Sequence, residues 1–157
     1  MKQQRLSLVT SSHWQDYELL DSGNLLKFER FGSYKFIRPE PQAIWHPRND
    51  AKDWQADGIF VPGRLGKKDQ GEGEGGGWQL SEKLPASWQL NYRSLRFLAR
   101  PTPFRHLGFF PEQAAHWDWC ANAVKAFTAY HNRPPRILNL FAYSGLASLH
   151  AADAGAE

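Results

Sequence analysis

The 157-residue chain has a single cysteine, Cys120. One thiol can form neither an intrachain disulfide nor a thiolate cluster for a metal ion, which excludes the disulfide-stabilised and thiolate-metal classes of protein. This composition is typical of a reducing compartment and predicts a cytoplasmic protein.

Long apolar runs are also lacking. Residues 1–5 are mostly polar or charged and only scattered apolar residues follow them, so a secretory signal is not predicted. No run approaches the roughly 20 apolar residues that cross a bilayer. A membrane partner is therefore not expected.

Acidic residues are absent between Glu82 and Glu112. The arginines of this interval, which lie among aromatic residues, are Arg93, Arg96, Arg100 and Arg105. The local positive charge indicates RNA phosphate contacts. The other interpretation, which is favoured, is the solvated face of a hairpin whose Tyr92, Leu95 and Phe97 are buried.

The first 100 residues read as β-rich. Short apolar runs predict antiparallel hairpins over 17–37, with turns at 21–24 and 32–33. Three prolines then predict an irregular segment over 43–60, and alternation returns in a further hairpin over 88–100 with its turn at 93–94.

Residues 62–77 are rich in glycine and predict a flexible loop. Gly71, Gly73 and Gly76 match the Gly-x-Gly-x-x-Gly spacing, but no clear helix follows them and the intervening glutamates would repel an anion. An accident of composition is therefore favoured over a phosphate cradle.

Pro111 and Glu112 mark the start of a helix that is predicted to end near Tyr130. Its apolar positions recur at steps of three and four, namely Ala114, Trp117, Ala121, Val124, Phe127 and Tyr130. On this helix His116, Asp118 and Cys120 point in different directions, so no metal site is predicted. Cys120 has no evident partner base, which favours a small buried thiol over a nucleophile.

Residues 137–143 are rich in large apolar side chains and predict a buried parallel strand. Ser144 and Gly145 then open a helix-forming segment, and a glycine lets backbone amides approach a ligand. The chain lacks the motifs of dinucleotide folds after this strand, of phosphate loops and of nucleophile elbows. The residues alone leave a structural turn and a cofactor turn equally open.

Residues 139–145, Asn-Leu-Phe-Ala-Tyr-Ser-Gly, together with 151–156, resemble the first cofactor motif of class I S-adenosylmethionine-dependent methyltransferases. Residues 104–113 and 117–119 resemble the segment preceding that motif in bacterial enzymes related to the 23S ribosomal RNA cytosine methyltransferases. Residues 34–45 are similar to the amino-terminal region of such proteins.

This resemblance implies an α/β protein with a β-rich amino-terminal region over 1–100 and the truncated start of a Rossmann-like methyltransferase domain over 101–157. It implies methyl transfer from S-adenosylmethionine to RNA, with ribosomal RNA as the expected substrate, by a parent enzyme of which this chain alone is inactive. The family's catalytic residues are expected beyond Glu157, so none is predicted here. A non-catalytic RNA-binding or interaction module and an interrupted gene product are the alternatives.

By position, the resemblance implies a cofactor site in which Tyr143 packs against the cofactor and the backbone at Gly145 approaches its methionine end. The residues implied to line it are Phe141, Ala142, Tyr143, Ser144 and Gly145. Gln113 lies near the cofactor entrance or is simply a polar residue of a first helical turn. The chain departs from many relatives at Ala114 and Leu146, where they have arginine and a second glycine.

Overall fold

The computed structural model describes residues 14–63 and 76–157. Within these ranges the chain divides into two compact units, Trp14–Phe109 and Phe110–Glu157. The functional roles expected of residues 1–100 and 101–157 stay predictions.

The described part of the unit Trp14–Phe109 is built from two sheets. The larger sheet follows the order of the sequence, with strands β1 (Tyr17–Gly23), β2 (Leu26–Phe31), β3 (Tyr34–Pro39), β4 (Gly58–Pro62) and β5 (Gly76–Leu80). Its neighbours pair antiparallel except β3 and β4, which are parallel. The smaller sheet is the hairpin of β6 (Trp88–Tyr92) and β7 (Leu95–Ala99). The predicted β-rich region is confirmed.

Two of the three predicted hairpin turns lie where the sequence placed them, at 32–33 and 93–94. The turn predicted at 21–24 is displaced, because β1 continues to Gly23 and Asn24 and Leu25 make the reversal. Both have positive φ, 51° and 64°, which a two-residue hairpin loop with the right twist requires.

The irregular segment predicted over 43–60 is wrong at its end, because β4 begins at Gly58. Prolines interrupt pairing only near their own positions, and Gly58 to Phe60 already show the alternating burial of a strand. A short 3-10 helix, Ala51–Asp53, lies before it.

The ends of the loop predicted over 62–77 belong to paired strands, since Pro62 lies opposite Gly76 in the ladder of β4 and β5. Residues 64–75 of that prediction lie outside the described residues.

A buried ion pair joins the strands of the larger sheet. The guanidinium of Arg38 donates two hydrogen bonds to the carboxylate of Glu29, of 2.7 and 2.8 Å, and both residues are at most 2% exposed. The Tyr17 hydroxyl donates to the same carboxylate at 3.0 Å, and Arg38 Nη1 donates to the carbonyl of Arg105 at 3.0 Å. One charge pair therefore ties β1, β2 and β3 to the chain that follows β7.

The segment 43–49 contains no helix or strand, but hydrogen bonds to the Asp21 carboxylate fix its end. The Asp21 carboxylate accepts backbone N–H groups from Ser22, Arg48 and Asn49 at 2.8 to 3.1 Å. Desolvation of this carboxylate raises its pKa, but the donated N–H groups outweigh that cause and hold the pKa of Asp21 below its ordinary value of 3.8. The charged form of Asp21 therefore stabilises the segment.

The unit Phe110–Glu157 contains the predicted helix as α1 (Ala114–His131), after a 3-10 turn, Pro111–Gln113. Asn132 ends α1 in a left-handed conformation, with its N–H bonded to the carbonyl of Thr128 at 2.8 Å. The second helix is α2 (Leu146–Asp153). Neither α1 nor any other helix in the described ranges has the length and hydropathy needed to cross a membrane.

The strand predicted over 137–143 is wrong as a regular element, because no described strand forms a ladder with it. Two hydrogen bonds of a parallel ladder are nevertheless present, from Ile137 N–H to the Glu157 carbonyl at 2.8 Å and from Glu157 N–H to the Pro135 carbonyl at 2.9 Å. The helix α2 lies between the two bonded segments in sequence.

The buried ion pair generates a stability prediction. Glu29→Gln leaves the Arg38 guanidinium buried without its counter-charge, so we expect a loss of about 3–5 kcal/mol in the free energy of unfolding, measured with urea. The control is Glu18→Gln, which breaks the exposed pair with Arg30 and is expected to cost at most about 1 kcal/mol. Equal losses in the two variants would contradict this account.

Asp21 generates a pH prediction. Its pKa is lower in the folded than in the unfolded chain, so its stabilising contribution is present above the ordinary value of 3.8 and is lost as the pH falls through the folded pKa. We expect wild type to be more stable than Asp21→Asn at neutral pH, and the difference to shrink as the pH falls below about 4. Urea unfolding at a series of pH values measures this difference, and a pH-independent difference would refute the assignment.

Candidate functional site

A sharp turn connects residue 140 to α2 and contains the five contiguous residues that the resemblance implies for the cofactor. Gly145 caps α2 with φ of 83°, and its N–H donates to the carbonyl of Ala142 at 2.7 Å. Tyr143 also has positive φ, 48°. Two residues in the left-handed backbone conformation, two positions apart, reverse the direction of the chain sharply. Residues 141–145 therefore lie together in one turn.

The space beside Gly145 is open. No heavy atom lies within 4 Å of the position that a Cβ would take at this glycine. Since its φ also disfavours any L side chain, glycine at this position leaves the backbone accessible to a ligand.

Asn139 fixes the turn from both ends and was not among the predicted site residues. Its side-chain oxygen accepts the N–H of Phe141 at 3.1 Å, and its Nδ2 donates to Ser148 Oγ at 3.0 Å. The signal in the sequence was the tendency of asparagine to bond the backbone two residues ahead. Asn139 therefore joins the start of the turn to the first turn of α2.

The amino terminus of α2 has no side-chain cap. The first N–H groups of a helix have no partner within it, and together with the aligned peptide dipoles they favour a negative group. Leu146, His150 and Ala151 anchor α2 through their buried side chains. The turn can therefore accept a carboxylate or a phosphate with backbone donors alone.

Aromatic rings line the same turn. Phe141 is 92% exposed and Tyr143 is 58% exposed, and the ring of Phe110 lies 5.1 Å from that of Tyr143. Phe110 directly precedes the 3-10 turn that carries Gln113. The exposed Gln113 side chain pairs through Oε1 with Nδ1 of His116 at 3.1 Å, and it forms no hydrogen bond with the described residues of the turn.

Between α1 and α2 lies a pair of a buried histidine and a half-buried aspartate that sequence reasoning did not identify. His150 is 3% exposed, and its Nε2 lies 3.5 Å from Oδ1 of Asp118. No spacing in the sequence signals this pair, because the two residues belong to different helices. Cys120 is half-buried on α1, and in the described part of the chain no three His, Cys, Asp or Glu side chains group as a metal site.

The four arginines predicted to contact RNA lie on or after the hairpin of β6 and β7. Arg93 occupies the turn, with its guanidinium 5.7 Å from the centre of the Tyr92 ring, and Arg96 and Arg100 are exposed. Arg105 is half-buried and is held through its carbonyl by Arg38.

The aromatic residues of this hairpin face the core instead of solvent. Tyr92 is 3% exposed, and both Tyr92 and Phe97 pack against Trp14. The hairpin therefore has an apolar inner face, and an outer face on which Arg96 lies with the exposed Leu98. Its Tyr92 ring is not available for stacking on a base.

No family model and no curated protein matches the chain. Among solved structures, it is similar to the crystal structure of the SAM-dependent methyltransferase from Agrobacterium tumefaciens, where SAM is S-adenosylmethionine. The identity is 42% and the TM-score 0.77, over 99% of this chain and 49% of that one.

A second similar structure comes from Streptococcus mutans and is described as a candidate SAM-dependent methyltransferase. The identity is 13% and the TM-score 0.60, over 92% of this chain and 38% of that one, so this likeness shows the fold alone. The chain thus spans about half or less of the length of both proteins. The predicted α/β fold class is confirmed.

The left-handed turn generates a prediction on stability. We expect Gly145→Ala to lower the free energy of unfolding by about 1–2 kcal/mol, because alanine is strained at this φ, and Gly145→Asn to cost less. Thermal unfolding followed by circular dichroism measures both. Gly77→Ala is the control, since its Cβ would also meet open space but its φ is not in the left-handed region. A Gly145→Ala protein as stable as this control would contradict the assigned strain.

Proposed function

We propose that the chain is part of a SAM-dependent methyltransferase that binds its cofactor at the turn 141–145 and acts on RNA, with ribosomal RNA as the expected substrate. The observation that carries this proposal is the 42% identity over almost the whole chain to the methyltransferase from Agrobacterium tumefaciens. The RNA substrate rests on the resemblance of residues 104–113 and 117–119 and on the exposed arginines of the hairpin.

The chemistry of the turn fits the cofactor. SAM carries a carboxylate, and the uncapped amino terminus of α2 offers N–H donors for it. The cofactor also carries an adenine ring and a positive sulfonium, and exposed aromatic rings at Phe141 and Tyr143 can stack on the one or attract the other. When bound, SAM supplies a methyl group that is activated for attack by a nucleophile.

The residues of this chain then bind and orient the cofactor. The open face of Gly145 lets the backbone approach the methionine end, and Asn139 keeps the turn in that conformation through its two hydrogen bonds. Gln113, which follows Phe110 by three residues, offers an amide donor and acceptor at the rim of the site. No residue described here is assigned the transfer step itself.

The proposal assigns the complete activity to a longer protein than this chain. The chain spans 49% of the length of the Agrobacterium protein, and a turn with one helix supplies only part of the contacts of a cofactor pocket. We therefore assign weak cofactor binding and no catalysis to these 157 residues by themselves.

A non-catalytic RNA-binding module is the second candidate. The observation that favours it is the exposure of Arg96 on β7 and of Arg100 directly after it. RNA binding that weakens steeply with salt, without any binding of SAM, would select this alternative.

Calorimetric titration with SAM tests the proposed cofactor site. We expect a form of the protein extended through its downstream reading frame to bind SAM, and Tyr143→Ala in that form to bind at least about tenfold more weakly, because it loses the aromatic contact. Leu138→Ala is the matched control, since Leu138 is 82% exposed but precedes the turn. Absence of binding by both the chain and its extended form would refute the proposal.

A further inference from the structure

Trp45 differs in its surroundings from most of the seven tryptophans. Five of the seven lie against another aromatic ring, namely Trp14, Trp54, Trp78, Trp88 and Trp117. Among the described residues, no ring lies against Trp45 or Trp119, which are 53% and 65% exposed. Trp45 is therefore not a core residue of its unit.

The orientation of the Trp45 indole is fixed although the ring is exposed. Its Nε1 donates to the carbonyl of Ser22 at 2.9 Å and lies 3.3 Å from the Ser22 hydroxyl, while its own carbonyl accepts the N–H of Asn24 at 2.8 Å. For Trp119, no hydrogen bond of the indole to a described residue is found. The contacts of Trp45 direct its polar edge to the protein and leave ring surface in solvent.

The backbone beneath Trp45 is also preorganised. A Cβ at Gly23 would lie 2.7 Å from the carbonyl oxygen of Trp45, so glycine is needed for this close approach. Beyond Trp45, the Asp21 carboxylate holds the N–H groups of Arg48 and Asn49. Because folding already orders the segment, a ligand of Trp45 would not need to order it on binding.

Two nitrogen-bearing side chains beside Trp45 are available to a ligand. His46 and Arg48 are exposed, and neither side chain forms a hydrogen bond or ion pair with the described residues. Of the carboxylates in this part of the chain, Asp21 accepts backbone N–H groups and Asp50 accepts the N–H of Lys52 at 3.1 Å, so neither is paired with Arg48 through its side chain. The segment therefore carries an exposed ring and, three residues later, an exposed guanidinium without a hydrogen bond or ion pair to the described residues.

We infer that Trp45, His46 and Arg48 form a contact site for single-stranded RNA, at which an unpaired base stacks on the Trp45 indole and Arg48 contacts a phosphate. An aromatic face next to a cation is how proteins bind unpaired nucleotides. The inference rests on the RNA substrate of the proposed function. It adds the base-stacking element that the β6–β7 hairpin lacks, because Tyr92 is buried there.

The test is fluorescence anisotropy of a fluorescein-labelled, unstructured RNA oligonucleotide with the full chain. We expect Trp45→Ala to weaken binding by about tenfold, as the loss of one stacked base predicts. Trp45→Phe keeps an aromatic face and is expected to retain more of the affinity, and Trp119→Ala, which removes the other exposed indole, is expected to bind as wild type. Arg48→Ala should reduce the slope of log affinity against log salt by about 0.7.

Each outcome decides the inference. Wild-type affinity in Trp45→Ala, with weaker binding by Arg96→Ala, would overturn this site while leaving RNA binding of the proposed function intact. Absence of RNA binding by wild type would overturn both the site and the RNA substrate. The calorimetric titration tests SAM binding independently of this result. A wild-type dimer that Trp45→Ala dissociates in sedimentation would assign the surface to a second copy of the chain and reject the RNA site. Trp45→Phe keeps the test decisive if Trp45→Ala fails to fold.

Discussion

The unit Trp14–Phe109 depends on the buried ion pair of Glu29 and Arg38. Two charges removed from water are tolerated only when their hydrogen-bonding groups are satisfied, and here the carboxylate receives the Arg38 fork and the Tyr17 hydroxyl. The remaining guanidinium nitrogen holds the Arg105 carbonyl. The same contacts that satisfy the charges thus fix three strands and the basic segment after the hairpin.

The unit Phe110–Glu157 is organised by backbone conformation. The left-handed residues Tyr143 and Gly145 turn the chain into α2, and the side chain of Asn139 links both sides of that turn. This arrangement leaves helical N–H groups uncapped and aromatic rings exposed. Exposed N–H groups and rings can bind a ligand that has a carboxylate and a ring, and for this reason the proposed function assigns the cofactor to this turn.

The sequence predicts elements whose signal is local. Alternation over 88–100 with Arg93 and Ser94 at its centre predicts a hairpin, and the spacing of apolar residues predicts α1, since both patterns report directly which side chains face the core. The strand over 137–143 could not be predicted correctly, because apolar content does not show whether a neighbouring strand is present to pair with it. The sequence also does not predict the Glu29–Arg38 pair or the exposure of Trp45. Charged residues in strands usually face water, and tryptophan usually packs in the core.

The most direct test of the account is the transfer of tritium-labelled methyl groups from SAM to ribosomal RNA by the protein extended through its downstream reading frame. The account predicts incorporation of label into RNA by this form, and none by the 157-residue chain alone. Incorporation by neither form, when the extended protein is folded and undermethylated RNA is supplied, would contradict the assignment of an RNA methyltransferase.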